Sequence, residues 1–191
     1  MRRYRMVVGI DLSEYSDIVL EHALDQAARH ETPELHLLTV RENRKASVED
    51  LKQQLWDRVF FALQAFNRHG IDWRARLHVR TGKPDEQIGQ LAAEVRANLI
   101  VIGQFGLHHP KHSRKNLPNR VLQAAVCPTL VVGMPEVLDV TQCPVCDGVR
   151  EQTDGDRWFC DDHVSSDTRR DHGITPMTVW SGGTFAIERA A

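Results

Sequence analysis

Four residues in the last third of the chain have the side chains and the spacing of a zinc site. The stretch CPVCDGVREQTDGDRWFCDDH contains Cys143 and Cys146, and later Cys160 and His163. Zinc prefers thiolate sulfur and imidazole nitrogen, and a gap of two residues within each pair lets that pair wrap one ion. Because protein ligands would fill all four positions of a tetrahedron, none is left for a catalytic water. The spacing therefore predicts a structural zinc site.

The chain around these ligands is predicted to fold as a small zinc-ribbon-like module. CPVCDG is interpreted as a metal knuckle, TDGD as a turn and RWF as the returning strand of a hairpin. So small a module buries little apolar surface, which means that its folding should depend on the metal. Besides a structural role, sensing of zinc or of oxidants by the thiols and docking of another protein both stay open.

The elements that would carry a second site lie in the first two thirds of the chain. Apolar runs in RMVVGID, ELHLLTV, DWRARLHVR, NLIVIG and PTLVVG predict five strands, and four helical segments alternate with them. Ser13 or Ser16 is a candidate cap for the first helix, Gly70 for the end of the second, and Pro84 lies in the first turn of the third. Repeated strand and helix units predict a mostly parallel sheet with helices on both faces.

In an open parallel sheet, ligands bind beyond the carboxyl ends of the strands, where the strand order reverses. Asp11 follows the first predicted strand, and GQFG, residues 103–106, follows the fourth. If these strands are neighbours, both stretches line one crevice. Asp11 could equally be only a helix-capping carboxylate, and Gly103 and Gly106 could serve only a tight turn.

Three stretches in the same order resemble the universal stress protein family: VVGIDLSEYSDIVLEHALDQA, HVRTGKPDEQIGQLAAEVRANLIVIGQFG and RVLQAAVCPTLVV. The resemblance covers about residues 4–134. It implies a Rossmann-like α/β fold with a five-stranded parallel sheet of order 3-2-1-4-5 and flanking helices. It also implies a homodimer formed through the last strand. The family includes members that bind ATP and members that do not.

The resemblance implies an adenine-nucleotide site of which one half is present. Asp11 matches the carboxylate that binds ribose, Val40 matches the apolar residue that meets adenine, and Gly103 and Gly106 match the glycine turn. A carboxylate can accept hydrogen bonds from ribose hydroxyls, and glycines let backbone N–H groups approach phosphate oxygens. ATP or AMP is the ligand class that these matches imply.

The phosphate end of the family pattern is missing. Where the family has Gly followed by Ser or Thr, this chain has Asn116 and Leu117 when counted from Gly106, or Lys115 and Asn116 when aligned on RVL. Pro118 removes a backbone donor just beyond them. Phosphate would need nearby cations to replace these groups, and the candidates are Lys111, Arg114, Lys115 and Arg120. In the same loop, His108, His109 and His112 could form a metal or anion site, although unliganded surface histidines are the commoner case.

Composition limits the partners and the cellular compartment that can be expected for this chain. The 191 residues carry a formal net charge of -2, which makes nucleic acid an unexpected partner. No apolar run reaches the roughly 20 residues of a membrane helix, and no secretory pattern is present, so we expect a cytoplasmic protein without a membrane partner. After residue 146, acidic residues outnumber basic ones nine to five. We therefore expect an α/β domain over 1–137 and a zinc-ribbon-like module with its tail over 138–191, where PMTVWSGGTFAIE predicts a short strand or hairpin.

The sequence contains no convincing set of nucleophile, base and orienting group, so an enzyme is not expected. The leading hypothesis is a stress-response protein of universal stress protein type that acts by binding and interaction and carries a structural zinc. The alternatives are an adenine-nucleotide sensor with an incomplete phosphate loop and weak ATPase activity, or a zinc module that serves for docking or redox sensing.

Overall fold

The computed structural model describes residues 3–42, 46–66, 71–104, 117–133, 143–164 and 186–188. The described elements, in chain order, are β1 (Tyr4–Gly9), α1 (Tyr15–Ala27), β2 (Pro33–Arg41), α2 (Val48–Ala65), β3 (Arg74–Thr81), α3 (Pro84–Val95), β4 (Leu99–Gly103), α4 (Leu117–Ala124), β5 (Thr129–Val132), α5 (Pro144–Gln152), α6 (Asp161–Val164) and β6 (Ala186–Glu188). Among the described helices, none combines the length and the apolar character needed to cross a membrane.

The first five strands form the predicted parallel sheet. The full strand order is β5-β4-β1-β2-β3-β6, so the predicted order 3-2-1-4-5 is confirmed. A sixth strand from the tail extends the sheet by pairing antiparallel with β3, with Ala186 opposite Arg76 and Glu188 opposite Arg74. The short strand expected near the end of the chain is therefore present, and it covers the edge of β3.

Helices cover both faces of the sheet, as the sequence predicts. Met6 and Val8 of β1 belong to a core cluster with α1 and α2, whereas Val7 belongs to a second cluster with α3 and α4. All three side chains are 0% exposed. A continuous apolar run in β1 is thus explained by burial on both faces.

The starts of the helices differ in how their backbone N–H groups are satisfied. The Ser47 side chain caps α2 by accepting hydrogen bonds from the N–H groups of Glu49 and Asp50, and Pro84 begins α3 as predicted.

The prediction that Ser13 or Ser16 caps α1 is wrong. Glu14 is the N-cap residue and makes no side-chain cap bond. The two serine hydroxyls are directed instead to Asp11. Gly70 lies outside the described residues.

The hairpin predicted between the two zinc-ligand pairs is also wrong. Helix α5 fills the first part of this segment, beginning with Pro144 at its first position, and Gly148 lies inside the helix. TDGD does form a turn, in which the Asp156 N–H donates to the Thr153 carbonyl over 3.0 Å. The N–H groups of Trp158 and Phe159 bind Glu14 rather than a strand partner, which explains why RWF adds no strand here.

The cysteine module, defined here as residues 143–164, packs on the α/β domain. Trp158, Phe159 and Cys160 belong to the same core cluster as α1 and α2. The predicted domain boundary, between residues 137 and 138, lies outside the described residues and stays a prediction.

Candidate functional site

A cavity of about 1380 Å³ lies at the carboxyl ends of the central strands. Asp11, Val40 and Gly103 all line it, each at or just beyond the end of its strand. Strands β1 and β4 are direct neighbours, which is the condition under which Asp11 and the start of the GQFG turn share one crevice. Gly106 lies outside the described residues. Three of the four residues predicted for a nucleotide site are therefore brought together at the place where the strand order reverses.

Asp11 is held by its own loop. Its Oδ1 atom accepts hydrogen bonds from the Ser13 N–H (3.1 Å), the Ser13 hydroxyl (2.6 Å) and the Ser16 hydroxyl (2.6 Å). The Asp11 N–H in turn donates to Ser16 Oγ over 3.0 Å. Within the described part of the chain, Oδ2 takes no hydrogen bond. One oxygen thus orients the carboxylate at the start of α1, and the other keeps its capacity to accept a hydroxyl.

Tyr15, in the first turn of α1, connects the carboxyl ends of β4 and β5 beside this cavity. Its hydroxyl donates to the Val132 carbonyl at the end of β5 and accepts the Gln104 N–H over 3.4 Å. Burial is the main reason that the pKa of Tyr15 rises to about 12, so the phenol stays protonated at neutral pH. Sequence reasoning missed Tyr15, although its spacing of three and four residues from Ile18 and Val19 places it on the apolar stripe of the helix.

Carboxylates predominate on the described wall of the cavity, seven against three guanidinium groups. The carboxylates are Asp11, Asp17, Glu21, Glu42, Asp57, Asp154 and Asp156. The arginines already have protein partners. Arg41 donates to Thr81 and Ala46, and Arg58 donates to Leu12 and pairs with Asp17.

The third arginine, Arg120, is the one predicted phosphate-binding cation within the described residues. It lines the cavity, and its Nε lies 3.1 Å from the Asp85 carboxylate. Pro118 is the second residue of α4, so that the helix lacks one backbone donor in its first turn, as predicted. Lys111, Arg114, Lys115 and the histidines at 108, 109 and 112 all lie outside the described residues.

The second candidate site is the cysteine cluster. The sulfur atoms of Cys143, Cys146 and Cys160 lie within 4.8 Å of one another. Three thiolates around a tetrahedral zinc at about 2.3 Å would have sulfur atoms about 3.8 Å apart, so the cluster needs little adjustment to hold the ion. His163 belongs to the short helix α6, which begins immediately after Cys160. Its side chain lies outside the described part of the structure.

Backbone N–H groups point at two of the three sulfur atoms. The Cys146 N–H donates to Cys143 Sγ over 3.5 Å, and the Cys160 N–H donates to Cys146 Sγ over 3.3 Å. The hydrogen bond from the Cys146 N–H is the main reason that the pKa of Cys143, the N-cap residue of α5, is lowered. Burial raises the pKa of Cys146 to about 12. A bound divalent cation would reverse that balance, because a coordinating thiol loses its proton.

The cavity and the cysteine cluster are connected by contacts of Glu14 and Trp158, two residues that the sequence analysis did not single out. The Glu14 carboxylate accepts the Trp158 and Phe159 N–H groups, and the Tyr15 and Trp158 rings stack with centroids 5.2 Å apart. The partners in each contact are more than 140 positions apart in the chain, so local sequence patterns cannot predict these contacts.

Comparison with known proteins agrees with this architecture. The universal stress protein UspA from Lactobacillus plantarum is 20% identical, with a TM-score of 0.52 over 69% of this chain and 99% of that chain. A universal stress protein from Archaeoglobus fulgidus, solved in complex with dAMP, is 22% identical, with a TM-score of 0.51 over 69% and 98%. Another universal stress protein, solved in complex with cAMP, gives the same identity, score and coverage. At these identities the likeness shows the fold. No curated protein sequence matches the chain.

A sequence profile of the universal stress protein family matches residues 3–133, which is well over half of the chain. The matched region ends at Gly133, one residue after β5, and leaves the cysteine module outside. The strand order and the similar solved structures agree with this family match. The chain therefore belongs to the universal stress protein family.

Proposed function

We propose that this chain is a non-enzymatic binding protein for an adenine nucleotide, and that the ligand is a monophosphate. The observation that carries the proposal is the single crevice lined by Asp11, Val40 and Gly103. Asp11 would accept a ribose hydroxyl, Val40 would contact the base, and Gly103 would allow close approach of the backbone. Two of the solved family structures described above contain cAMP and dAMP, which supports this ligand class.

The charge of the crevice favours a monophosphate over a triphosphate. Seven carboxylates face three arginines that already have protein partners, so each added phosphate charge would meet net repulsion from the described wall. Pro118 also weakens the start of α4 as an anion-binding end. We therefore expect AMP to bind more tightly than ATP.

The test is a calorimetric titration of AMP and ATP into the wild type and Asp11→Asn. Asparagine keeps a carbonyl oxygen for the Ser13 and Ser16 bonds but loses the anionic acceptor. Removing a hydrogen bond to a charged group should weaken AMP binding roughly 10- to 100-fold while leaving the fold intact. Circular dichroism checks the fold.

Wild-type protein that gives no heat with millimolar AMP would refute the nucleotide proposal. ATP binding tighter than AMP binding would refute the preference for a monophosphate. Asp11→Asn with wild-type affinity would show that Asp11 only orders its loop.

We also propose that Cys143, Cys146, Cys160 and His163 hold one structural zinc. The proximity of three sulfur atoms supports this assignment, as do the two N–H···S hydrogen bonds. When bound, the ion would cross-link α5 to the segment that leads into α6, a role typical of closed four-ligand sites.

Metal analysis of the purified protein should find about one zinc per chain. The ion should be lost in Cys143→Ser and in His163→Ala. Cys127→Ser is the matched control, because Cys127 lies outside the cluster in the segment before β5 and should leave the zinc content unchanged. A chain that contains no metal yet keeps a folded cysteine module would refute the zinc site.

The cellular role remains a proposal of the same kind. We propose a cytoplasmic protein that acts in the stress response by binding and interaction. None of its four cysteines forms a disulfide, which is consistent with a reducing compartment.

A further inference from the structure

The backbone that leads into Cys160 is bound directly to the start of α1. Glu14 Oε2 accepts the Trp158 N–H over 2.8 Å and the Phe159 N–H over 3.2 Å. In the opposite direction, the Glu14 N–H donates to the Asp156 carbonyl over 3.0 Å. One residue of the α/β domain is therefore held by three residues of the cysteine module, all of which lie between the start of its turn and its last cysteine.

The same backbone also belongs to the cysteine cluster. The Cys160 N–H, next in the chain after Phe159, donates to Cys146 Sγ. Trp158 is 0% exposed and its carbonyl accepts a hydrogen bond from Arg150 of α5 over 3.2 Å. A shift of Cys146 Sγ or of Cys160 therefore acts on the backbone directly next to the N–H groups that bind Glu14.

On the other side of Glu14 lies the loop that holds Asp11. Ser13, which precedes Glu14 and is 0% exposed, gives Asp11 Oδ1 two of its three hydrogen bonds. Leu12 has a positive φ of 67°, a conformation that non-glycine residues adopt only when their surroundings hold them there. Arg58 stabilises this conformation by donating a hydrogen bond to the Leu12 carbonyl over 2.7 Å. The same guanidinium group lies 3.7 Å from the carboxylate of Asp156 in the cysteine module.

The module also forms part of the cavity itself. Thr153, Asp154 and Asp156 line it together with Asp11. The turn that carries these three residues lies between α5 and the segment bound to Glu14, so its position depends on the same contacts.

We propose that the cysteine module is a regulatory wall of the nucleotide cavity, with Glu14 as the positioning residue that couples metal in the cluster to the orientation of Asp11. The inference rests on the proposed nucleotide and zinc sites and adds a coupling between them. With metal bound, the segment around Trp158 is fixed, Glu14 is held, and the Asp11 loop keeps its binding geometry. Without metal, the module loses its cross-link, Glu14 loses its two N–H donors, and the loop relaxes.

Coupling of this kind is reciprocal, which gives two measurements of the same quantity. Chelation of zinc from the full chain should weaken AMP binding on the order of tenfold in calorimetry. Saturating AMP should raise zinc affinity by the same factor, measured by competition with a chromophoric zinc chelator. Equal factors show that both titrations report the same equilibrium coupling.

Variants at Glu14 separate coupling from stability. Glu14→Ala should still bind zinc, bind AMP as weakly as the zinc-free wild type, and show no change in AMP affinity on chelation. Glu14→Gln, which keeps an acceptor oxygen, should restore most of the coupling. Glu31→Ala is the control, since Glu31 is an exposed carboxylate just before β2, at the amino ends of the strands and away from the cavity, and should couple like the wild type.

Hydrogen exchange on the wild type tests the contact without any variant. Removal of zinc should speed exchange at the amides of Glu14, Trp158 and Phe159, whereas the amide of Ile10, bonded to Leu38 inside the sheet, should not change. Unchanged exchange at Glu14 would overturn the inference. AMP and zinc binding that are both present but independent would also overturn the inference and leave the proposed sites standing. Zinc-loaded protein that does not bind AMP would overturn both the inference and the nucleotide proposal.

Discussion

At the scale of single residues, the least expected feature is a buried polar cluster between β2 and β3. Glu34 and His36 are 5% and 4% exposed. Arg76 donates to Glu34 over 2.7 Å, and His36 Nδ1 lies 3.0 Å from His78 Nε2. Burial is the first cause that lowers the pKa of each histidine to about 4. Nearby arginines lower both further, so the pair is neutral in the folded protein at neutral pH.

This cluster predicts a loss of stability in mild acid. Between about pH 6.5 and pH 4 the unfolded chain binds protons at both histidines and the folded chain does not, so the free energy of unfolding falls as pH falls. The slope is about 1.4 kcal/mol per pH unit for each proton taken up. Urea titrations at several pH values should show this slope in the wild type and a smaller one in His78→Gln. His22→Gln, at an exposed position in α1, should keep the wild-type slope, and equal slopes in all three proteins would contradict the prediction.

At the scale of elements, α1 connects the family domain to the cysteine module. Its N-cap residue, Glu14, binds the module backbone, and its first residue, Tyr15, stacks on Trp158. Arg150 of α5 lies on the Trp158 ring, 5.4 Å from its centroid. The module is thus packed into the core of the family domain.

Replacing Trp158 should therefore destabilise the whole chain. Truncation of a fully buried tryptophan removes its packing and leaves a cavity, so we expect Trp158→Ala to lower the free energy of unfolding by about 3–5 kcal/mol. Phe61→Ala is the control, since that ring is 74% exposed and its loss should change stability by less than about 0.5 kcal/mol. Urea unfolding followed by circular dichroism measures both. A loss of less than about 1 kcal/mol in Trp158→Ala would show that the module lies on the domain without sharing its core.

At the scale of the whole molecule, the two edges of the sheet differ. Strand β6 covers β3 at one edge, whereas β5 ends the sheet at the other among the described strands. Val126, just before β5, is 60% exposed, and Leu122 of the preceding helix is 50% exposed. An uncovered strand with apolar neighbours is the surface through which a second copy could pair.

We expect the protein to form a homodimer through β5. Sedimentation equilibrium should give the mass of two chains, and Val126→Lys should raise the dissociation constant by placing a charge beside the edge. Val145→Lys, at an exposed site in α5, should not affect it. A wild-type protein that is monomeric at all concentrations, or a Val126→Lys protein that dimerises like the wild type, would contradict this use of the edge.

The parts of the fold that depend on local signals could be predicted from the sequence. Apolar runs identified the five parallel strands, and Pro84 marked the start of α3. The segment between Cys146 and Cys160 was predicted wrongly as a hairpin. A Pro and Gly pair next to cysteines is compatible with either a knuckle or a helix start, and Glu14, far away in the chain, takes the N–H groups that a strand partner would need.

The sequence by itself determined the family, through three contiguous motifs, and the cysteine pattern, through its spacing. The strand order and the place of Val40 were implied by the resemblance to that family, and Asp11 and Gly103 were also placed by the ends of their predicted strands. Only the tertiary structure decided that the cysteine module lies against the crevice lined by Asp11. That adjacency rests on Glu14, Tyr15 and Trp158, whose contacts form only when distant segments pack together. Long-range contacts of this kind leave no periodic trace in the chain, and here they connect the two candidate sites.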